Sequence, residues 1–384
     1  GVGIHPVPSS EGRGPALPAP GWPRADAPPG PSHERQSGAS PEYAPLAGAG
    51  FTPTTGGTVR IAHISDCYLP RTGGIETQVR GLSQAQRCAG RQVTVVTATP
   101  AQPGRPVIPG EVDQGVPVHR LAVGAMKGLP VTPHVGGRLR AVLTEHADVV
   151  HVHGGLVSPF AWPALATAVR SGMPAVVSVH SMWDGWSGAI RAAGRAAGWS
   201  RWPVIWSTVS HAAARSLSAA LGPGADVRVL HNGIDIPQWR PTPTVERASS
   251  VFTVVAVTRL ALRKRAGALL DILQESRAQI PGDIPIRAVL IGDGPDRGRV
   301  ERTIASRGMD WVTCLGWRSH DEIRTVFADS DVFVNATRLE SFGIAALEAR
   351  TFGLPVVALA SSGVGEFITH GREGLLGADD SALA

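Results

Sequence analysis

Val59-Arg60-Ile61-Ala62-His63-Ile64-Ser65, the loop Arg71-Thr72-Gly73-Gly74, the stretch 75–88 closed by Gly90, and Gln92-Val93-Thr94-Val95-Val96-Thr97 form the passage on which the fold turns. A short apolar run, a glycine-containing loop, a helical stretch and a second apolar run make a strand–helix–strand unit. Apolar strands joined through a helix belong to a parallel sheet covered on both faces. Outward from this unit, further strand runs fall at 148–152, 175–179 and 204–209, and a second series falls at 251–257, 288–291, 332–334 and 355–358. Alternation of this kind predicts an α/β protein of two doubly wound domains. Pro237-Gln238-Trp239-Arg240-Pro241-Thr242-Pro243 has the proline density of a linker. The expected division is therefore a first domain over 58–240 and a second over 241–384.

Residues 1–57 differ in kind. They hold twelve of the 32 prolines, with abundant Gly, Ala and Ser and no periodic apolar pattern, and they read as a disordered leader. The chain of 384 residues is 43% hydrophobic and 17% charged, which excludes disorder of the whole and a charged helical rod. No run approaches the length of about eighteen apolar residues that a spanning helix needs, so a soluble protein is expected. Cys67, Cys88 and Cys314 lie far apart with no CxxC pair, which supports neither a disulfide framework nor a structural zinc site. No secretory signal pattern opens the chain, so the expected setting is cytoplasmic. The formal charge of +5 comes with a pI near 9.7, much of which follows from arginine in place of lysine, and no nucleic-acid partner is thereby implied.

In open parallel sheets ligands bind beyond the carboxyl ends of the strands. Gly73 and Gly74 occupy that place after the first strand, where a glycine pair lets backbone approach a bound group and the next helix offers its N-terminus to an anion; a plain βα turn is the alternative. Gly292-Asp293-Gly294-Pro295-Asp296-Arg297 follows another strand, yet Arg297 stands where a dinucleotide fingerprint needs Gly or Ala. After the strand at 332–334 comes Asn335-Ala336-Thr337-Arg338-Leu339-Glu340-Ser341-Phe342-Gly343-Ile344-Ala345-Ala346-Leu347-Glu348-Ala349. Amides of Phe342, Gly343 and Ile344 at a helix start can receive a phosphate, and Glu340 and Glu348 bracket them with carboxylates able to accept from paired hydroxyls. Carboxylates beside a diphosphate require cations, and Arg259 and Lys264, on the first loop of the same domain, are the candidates; a solvated Arg-Lys run is the alternative.

Gly73-Gly74-Ile75-Glu76, Leu230-His231-Asn232-Gly233-Ile234-Asp235, Arg259 through Lys264, Ile291-Gly292-Asp293-Gly294-Pro295, and Glu340-Ser341-Phe342-Gly343 with Glu348 stand in the order and approximate spacing of one family. Over about residues 58 to 384 the chain resembles the retaining glycosyltransferase family four, whose two Rossmann-like domains face a cleft in the GT-B fold. The resemblance implies a hexosyltransferase that moves a sugar from a nucleoside-diphosphate sugar to a hydroxyl acceptor, whether sugar, lipid-linked or small molecule. It implies that Arg259 and Lys264 meet the donor diphosphate, that Ser341, Phe342, Gly343 and Ile344 cradle it, and that Gly73, Gly74 and Gly292 line the donor site. Glu348 would hold the ribose, Glu340 the sugar hydroxyls, and His153 would lie near the transferred sugar; a hydrogen-bonded core histidine is the alternative for His153. Family members usually need no metal, and no cofactor is expected.

Trp183, Trp186 and Ile190, then Trp199, Trp202 and Trp206, recur at i, i+3 and i+7, with Arg191, Arg195 and Arg201 between them. The 183–206 segment reads either as an interfacial surface for the inner face of the plasma membrane or as a helix packing its tryptophans into the core. Arg338-Leu339 replaces the acidic or proline residues usual near Glu340. Similar enzymes continue through further helices beyond residue 384, which points to a fragment or to impaired domain closure. A nucleotide-sugar 2-epimerase on the same plan and a non-catalytic nucleotide-binding scaffold remain alternatives, and a nicotinamide oxidoreductase is a distant one.

Overall fold

A computed structural model of the protein describes residues 58–71, 73–101, 110–121, 135–185, 187–222, 224–241 and 250–384. The leader expected over 1–57 lies outside the described residues, as do Thr72 and Trp186. The first domain runs β1 (Arg60–Ser65), α1 (Gly74–Cys88), β2 (Gln92–Thr97), β3 (Val112–Asp113), β4 (Val116–Arg120), α2 (Val135–His146), β5 (Val149–Gly154), α3 (Ala161–Arg170), β6 (Ala175–Val179), α4 (Ser187–Ala197), β7 (Val204–Thr208), α5 (His211–Leu221) and β8 (Val227–Val229). Its sheet has the order β3-β4-β2-β1-β5-β6-β7-β8, parallel except for the β3-β4 pair. After α6 (Ile236–Trp239) the second domain runs β9 (Phe252–Val257), α7 (Ala266–Gln279), β10 (Ile286–Ile291), α8 (Arg297–Ser306), β11 (Val312–Gly316), α9 (His320–Ala328), β12 (Val332–Asn335), α10 (Ile344–Phe352), β13 (Val356–Leu359) and β14 (Gly374–Gly377). The second sheet is parallel in the order β11-β10-β9-β12-β13-β14.

Residue alternation along the strands gives the two faces of the first sheet different chemistry. Ala62, Ile64, Val150, Val152, Val177 and Val179 pack with residues of α2 and α3 in one apolar core. The alternate positions carry His63 on β1, His151 and His153 on β5, Ser178 on β6 and Ser207 on β7, in register across neighbouring strands. A parallel strand buried on both sides normally reads as an unbroken apolar run, so this polar face needs its hydrogen bonds met internally.

The tryptophan-rich segment does not form one helix. Trp183 lies in the loop before α4, Trp199 in a short 3-10 turn and Trp206 on β7, so their spacing has no helical meaning. Trp183 and Trp206 are 2% and 7% exposed, and Trp199 and Trp202 pack against the same core. Their rings gather around Trp162, with centroids 5.9 Å (Trp183), 6.0 Å (Trp199) and 6.5 Å (Trp206) away. Trp183, Trp199, Trp202 and Trp206 thus follow the core reading of 183–206, with their indoles packed on the first domain's core. No helix among the described residues is long and apolar enough to cross a membrane.

Within the proline-rich segment Trp239 is 1% exposed and contacts His320 and Phe327, at ring centroids of 5.2 Å and 6.0 Å. It belongs to the core formed by Val255, Phe333, Ala346 and Ala358. The chain is thus anchored on the second domain before it reaches Pro241.

Candidate active site

Strands β9 and β12 are neighbours at the centre of the second sheet, so the loops leaving their carboxyl ends meet. Lys264 Nζ, on the loop after β9, donates to Glu340 Oε2, on the loop after β12, at 2.7 Å. Two further bonds join the same loops: Arg265 donates to the Ala336 carbonyl at 2.9 Å and Thr337 Oγ1 to the Lys264 carbonyl at 3.4 Å. Glu340 is fixed from its own backbone as well, since its carbonyl accepts from Gly363 N at 2.8 Å. Gly343 then turns the chain into α10 at φ 90°, where an added Cβ would stand 2.5 Å from Val364 Cγ2. Only glycine fits there. Lys264 and the helix start expected from the sequence therefore lie on adjoining loops.

Gly292 serves this loop from below. Its φ is 135°, and a Cβ would lie 1.9 Å from the Thr258 carbonyl oxygen. Thr258 N donates to Ile291 O at 2.9 Å and Leu260 N to Asp293 O at 3.0 Å. The glycine turn is where the backbone beneath Arg259 is laid down; the structure places Gly292 against protein backbone.

The first domain closes the other side. Gly74 begins α1, and a Cβ built on it would lie 3.6 Å from Ile344 Cδ1, the first residue of α10. The N-termini of α1 and α10 thus face each other, with Gly73 extended beside them at φ 176°. Glu76 on α1 is 5% exposed and pairs with Arg71 at 3.3 Å. Burial raises its carboxyl above the ordinary value, while Arg71 and, from the second domain, Arg259 pull it down. Arg259 therefore lies within electrostatic reach of the glycine loop. Among the described residues three hydrogen-bonded contacts tie the domains together. Ser341 Oγ donates to the His180 carbonyl at 2.7 Å, and Arg263 donates to the Met182 carbonyl at 3.0 Å. The Glu366 carboxylate accepts from His211 N and Ala212 N at 2.8 and 2.7 Å, which caps α5 from the opposite domain.

Glu348, five residues into α10, is 5% exposed, and desolvation pushes its carboxyl up to about 8. His153 is 1% exposed and does not open on the cleft: its two ring nitrogens bond His63 and His180. His180 meets the donor loop through its carbonyl, and His231 packs its ring against Phe342 at 5.9 Å; the sequence reading passed over His180, as it did Glu366. A histidine alternating with valines in Ala175-Val176-Val177-Ser178-Val179-His180 carries no local sign of which one will reach the cleft.

Among the described residues two groups have ligand atoms within 4.8 Å of one another, His63 with His151 and His153, and His211 with His231 and Glu366. In the first, no carboxylate would offset a buried dication, and the rings are already engaged by Gln86, Ser178 and His180. In the second, both Glu366 oxygens are taken by α5.

Residues 72–238 match the family model described as Glycosyltransferase Family 4, and residues 251–384 match that of Glycosyl transferases group 1. The chain belongs to glycosyltransferase family 4. It is 28% identical over 319 residues to a subunit of phosphatidylinositol N-acetylglucosaminyltransferase from Arabidopsis thaliana, covering 81% of this chain and 69% of that one. Over 261 residues it is 30% identical to the GDP-mannose-dependent alpha-(1-6)-phosphatidylinositol monomannoside mannosyltransferase of Mycobacterium tuberculosis, covering 64% and 66%. Anabaena HepE in complex with UDP-glucose has the same fold at a TM-score of 0.64 and 20% identity, with 84% and 87% covered. This glycosyltransferase accordingly has the GT-B arrangement of two parallel-sheet α/β domains.

Proposed function

We propose that this glycosyltransferase moves a sugar from a nucleoside-diphosphate sugar to a hydroxyl-bearing acceptor, with retention of anomeric configuration and with protein cations in place of a metal. The observation that carries the reading is the Lys264–Glu340 pair at the centre of the second sheet, beside the start of α10 and opposite Gly74. Breaking an anomeric C–O bond leaves a diphosphate anion and a sugar with oxocarbenium character, so preorganised cations and amides on the leaving group lower the barrier most. Arg259 and Lys264 supply the cations, and the α10 N-terminus around Phe342, Gly343 and Ile344 supplies partial positive charge.

The ion pair gives Lys264 and Glu340 linked roles. An arriving diphosphate competes for the Lys264 ammonium, and the carboxylate so released accepts from hydroxyls of the donor sugar. Ser341, Ile344 and Gly73 line the diphosphate, and Glu348 takes the ribose diol. The acceptor hydroxyl attacks on the face the leaving group departs from, and its proton passes to the departing phosphate oxygen. The HepE complex with UDP-glucose and the GDP-mannose-dependent relative support a nucleotide-sugar donor. The epimerase and scaffold alternatives draw no support from these similarities.

A thermal-shift panel of UDP, GDP, ADP and NAD tests the reading. Binding that favours one nucleoside diphosphate raises the melting temperature through mass action. Stabilisation by NAD alone, or by none of the four, contradicts it.

A further inference from the structure

A file of hydrogen bonds runs through the polar face of the first sheet and ends at the cleft. Gln86 Oε1, on α1, lies 2.7 Å from His63 Nε2. His63 Nδ1 lies 2.9 Å from His153 Nε2, and His153 Nδ1 lies 3.0 Å from His180 Nε2. An amide oxygen can only accept, and a neutral imidazole has one donor and one acceptor, so every link fixes the next. His63 holds its proton on Nε2 and offers Nδ1 as an acceptor. His153 must then donate from Nε2, which leaves its Nδ1 to receive the Nε2 proton of His180.

The file therefore ends with a lone pair on His180 Nδ1. Among the described residues none bonds that nitrogen, and the residue as a whole is half-buried. The carbonyl of the same residue accepts from Ser341, next to Glu340 in the donor loop. Burial holds the rings neutral: the imidazoles of His63 and His180 are pushed down to about 4, and that of His153 falls well below its ordinary value. Packing alone gives no account of the two buried imidazoles His63 and His153, because the opposite face of the same strands is filled by Ala62, Ile64, Val150 and Val152. His151 bonds sideways to Ser178 at 2.8 Å and takes no part in the file.

We infer that Gln86, His63 and His153 are positioning residues that hold His180 as its Nε2–H tautomer, so that Nδ1 accepts a hydrogen bond from a hydroxyl of the bound donor sugar. This rests on the glycosyl-transfer reading, yet the tautomer itself is measured without substrate. Protein carrying ¹⁵N-labelled histidine, observed by long-range ¹H–¹⁵N correlation at neutral pH, is expected to show His63, His153 and His180 neutral and protonated on Nε2. The His180 Nδ1 signal shifts when the nucleotide sugar that binds in the panel is added. Gln86→Leu removes the anchoring acceptor: the His180 pattern becomes an average of tautomers, and turnover falls about tenfold at unchanged donor KM, the scale of one neutral hydrogen bond. A wild-type His180 protonated on Nδ1, an Nδ1 signal indifferent to the donor, or a Gln86→Leu variant with wild-type tautomer and turnover overturns the inference. Calorimetry with the nucleotide separates the two claims: a wild type that binds no nucleotide defeats the donor-site reading, and the tautomer pattern still stands or falls by its own spectrum.

Discussion

Nucleotide-sugar affinity should depend steeply on pH through Glu348. Its carboxyl, pushed up to about 8 by burial in α10, is largely protonated at neutral pH before ligand arrives. A ribose diol offers two donors to an ionised carboxylate, so the bound state favours the charged form and binding expels a proton. With a free-state value near 8, about one half of the protein is ionised at pH 8 and about one hundredth at pH 6. Affinity therefore weakens about fiftyfold between those pH values, or about 2.3 kcal/mol. The ligand should be an intact nucleotide sugar, whose diphosphate does not titrate in that window. Isothermal calorimetry in buffers of different ionisation heat should report nearly one proton released at pH 6, and Glu348→Gln should flatten the profile. For the fold the sign is opposite. The folded state holds this proton more tightly than the unfolded chain, so the contribution of Glu348 to stability is fullest below about 4.5 and declines as pH rises through 8. A wild type that releases no proton, or a Glu348→Gln variant with the same pH dependence, refutes the role given to this carboxylate.

Lys264→Ala removes the cation bonded to Glu340 and should lower turnover by at least about a hundredfold, as measured by nucleotide release; unchanged turnover defeats its assignment. Gly292→Ala drives a Cβ toward the Thr258 carbonyl and should lower the melting temperature by about 5 °C or more, whereas a neutral effect would show that the turn is not a steric buttress. Trp206→Ala opens a cavity in the indole cluster and should cost about 3–5 kcal/mol by denaturant titration without changing pelleting with anionic vesicles. Loss of vesicle binding with stability intact would restore the interfacial reading. Glu366→Ala frees the α5 cap and should increase the radius of gyration of the nucleotide-free protein in small-angle scattering; a superimposable curve contradicts its part in domain closure.

The strands were legible because valine-rich runs leave little choice but burial on both faces, and β1, α1 and β2 begin and end within a residue or two of the expected positions. Lys264 and Glu340 were legible as members of separate motifs. That they touch was not, because contact depends on β9 and β12 becoming neighbours across 76 residues of chain. His153 was visible within His151-Val152-His153, but the sequence is silent on which histidine reaches the cleft, since that is decided by strand order in the sheet. Glu366 lies outside every motif and acquires its partners only when α5 of the other domain arrives. The tryptophan spacing misled because a 3.6-residue period was read across a loop, a turn and a strand. Pro237 to Pro243 read as a linker, yet Trp239 finds a pocket in the second domain, where burial of an indole outweighs local proline content.

A crystal structure with the nucleoside diphosphate that stabilises the protein tests the central claim most directly. The account predicts the diphosphate within about 3.5 Å of Lys264 Nζ or the Arg259 guanidinium and against the α10 amides, with the ribose on Glu348. A diphosphate bound elsewhere, with the Lys264–Glu340 pair undisturbed, contradicts it.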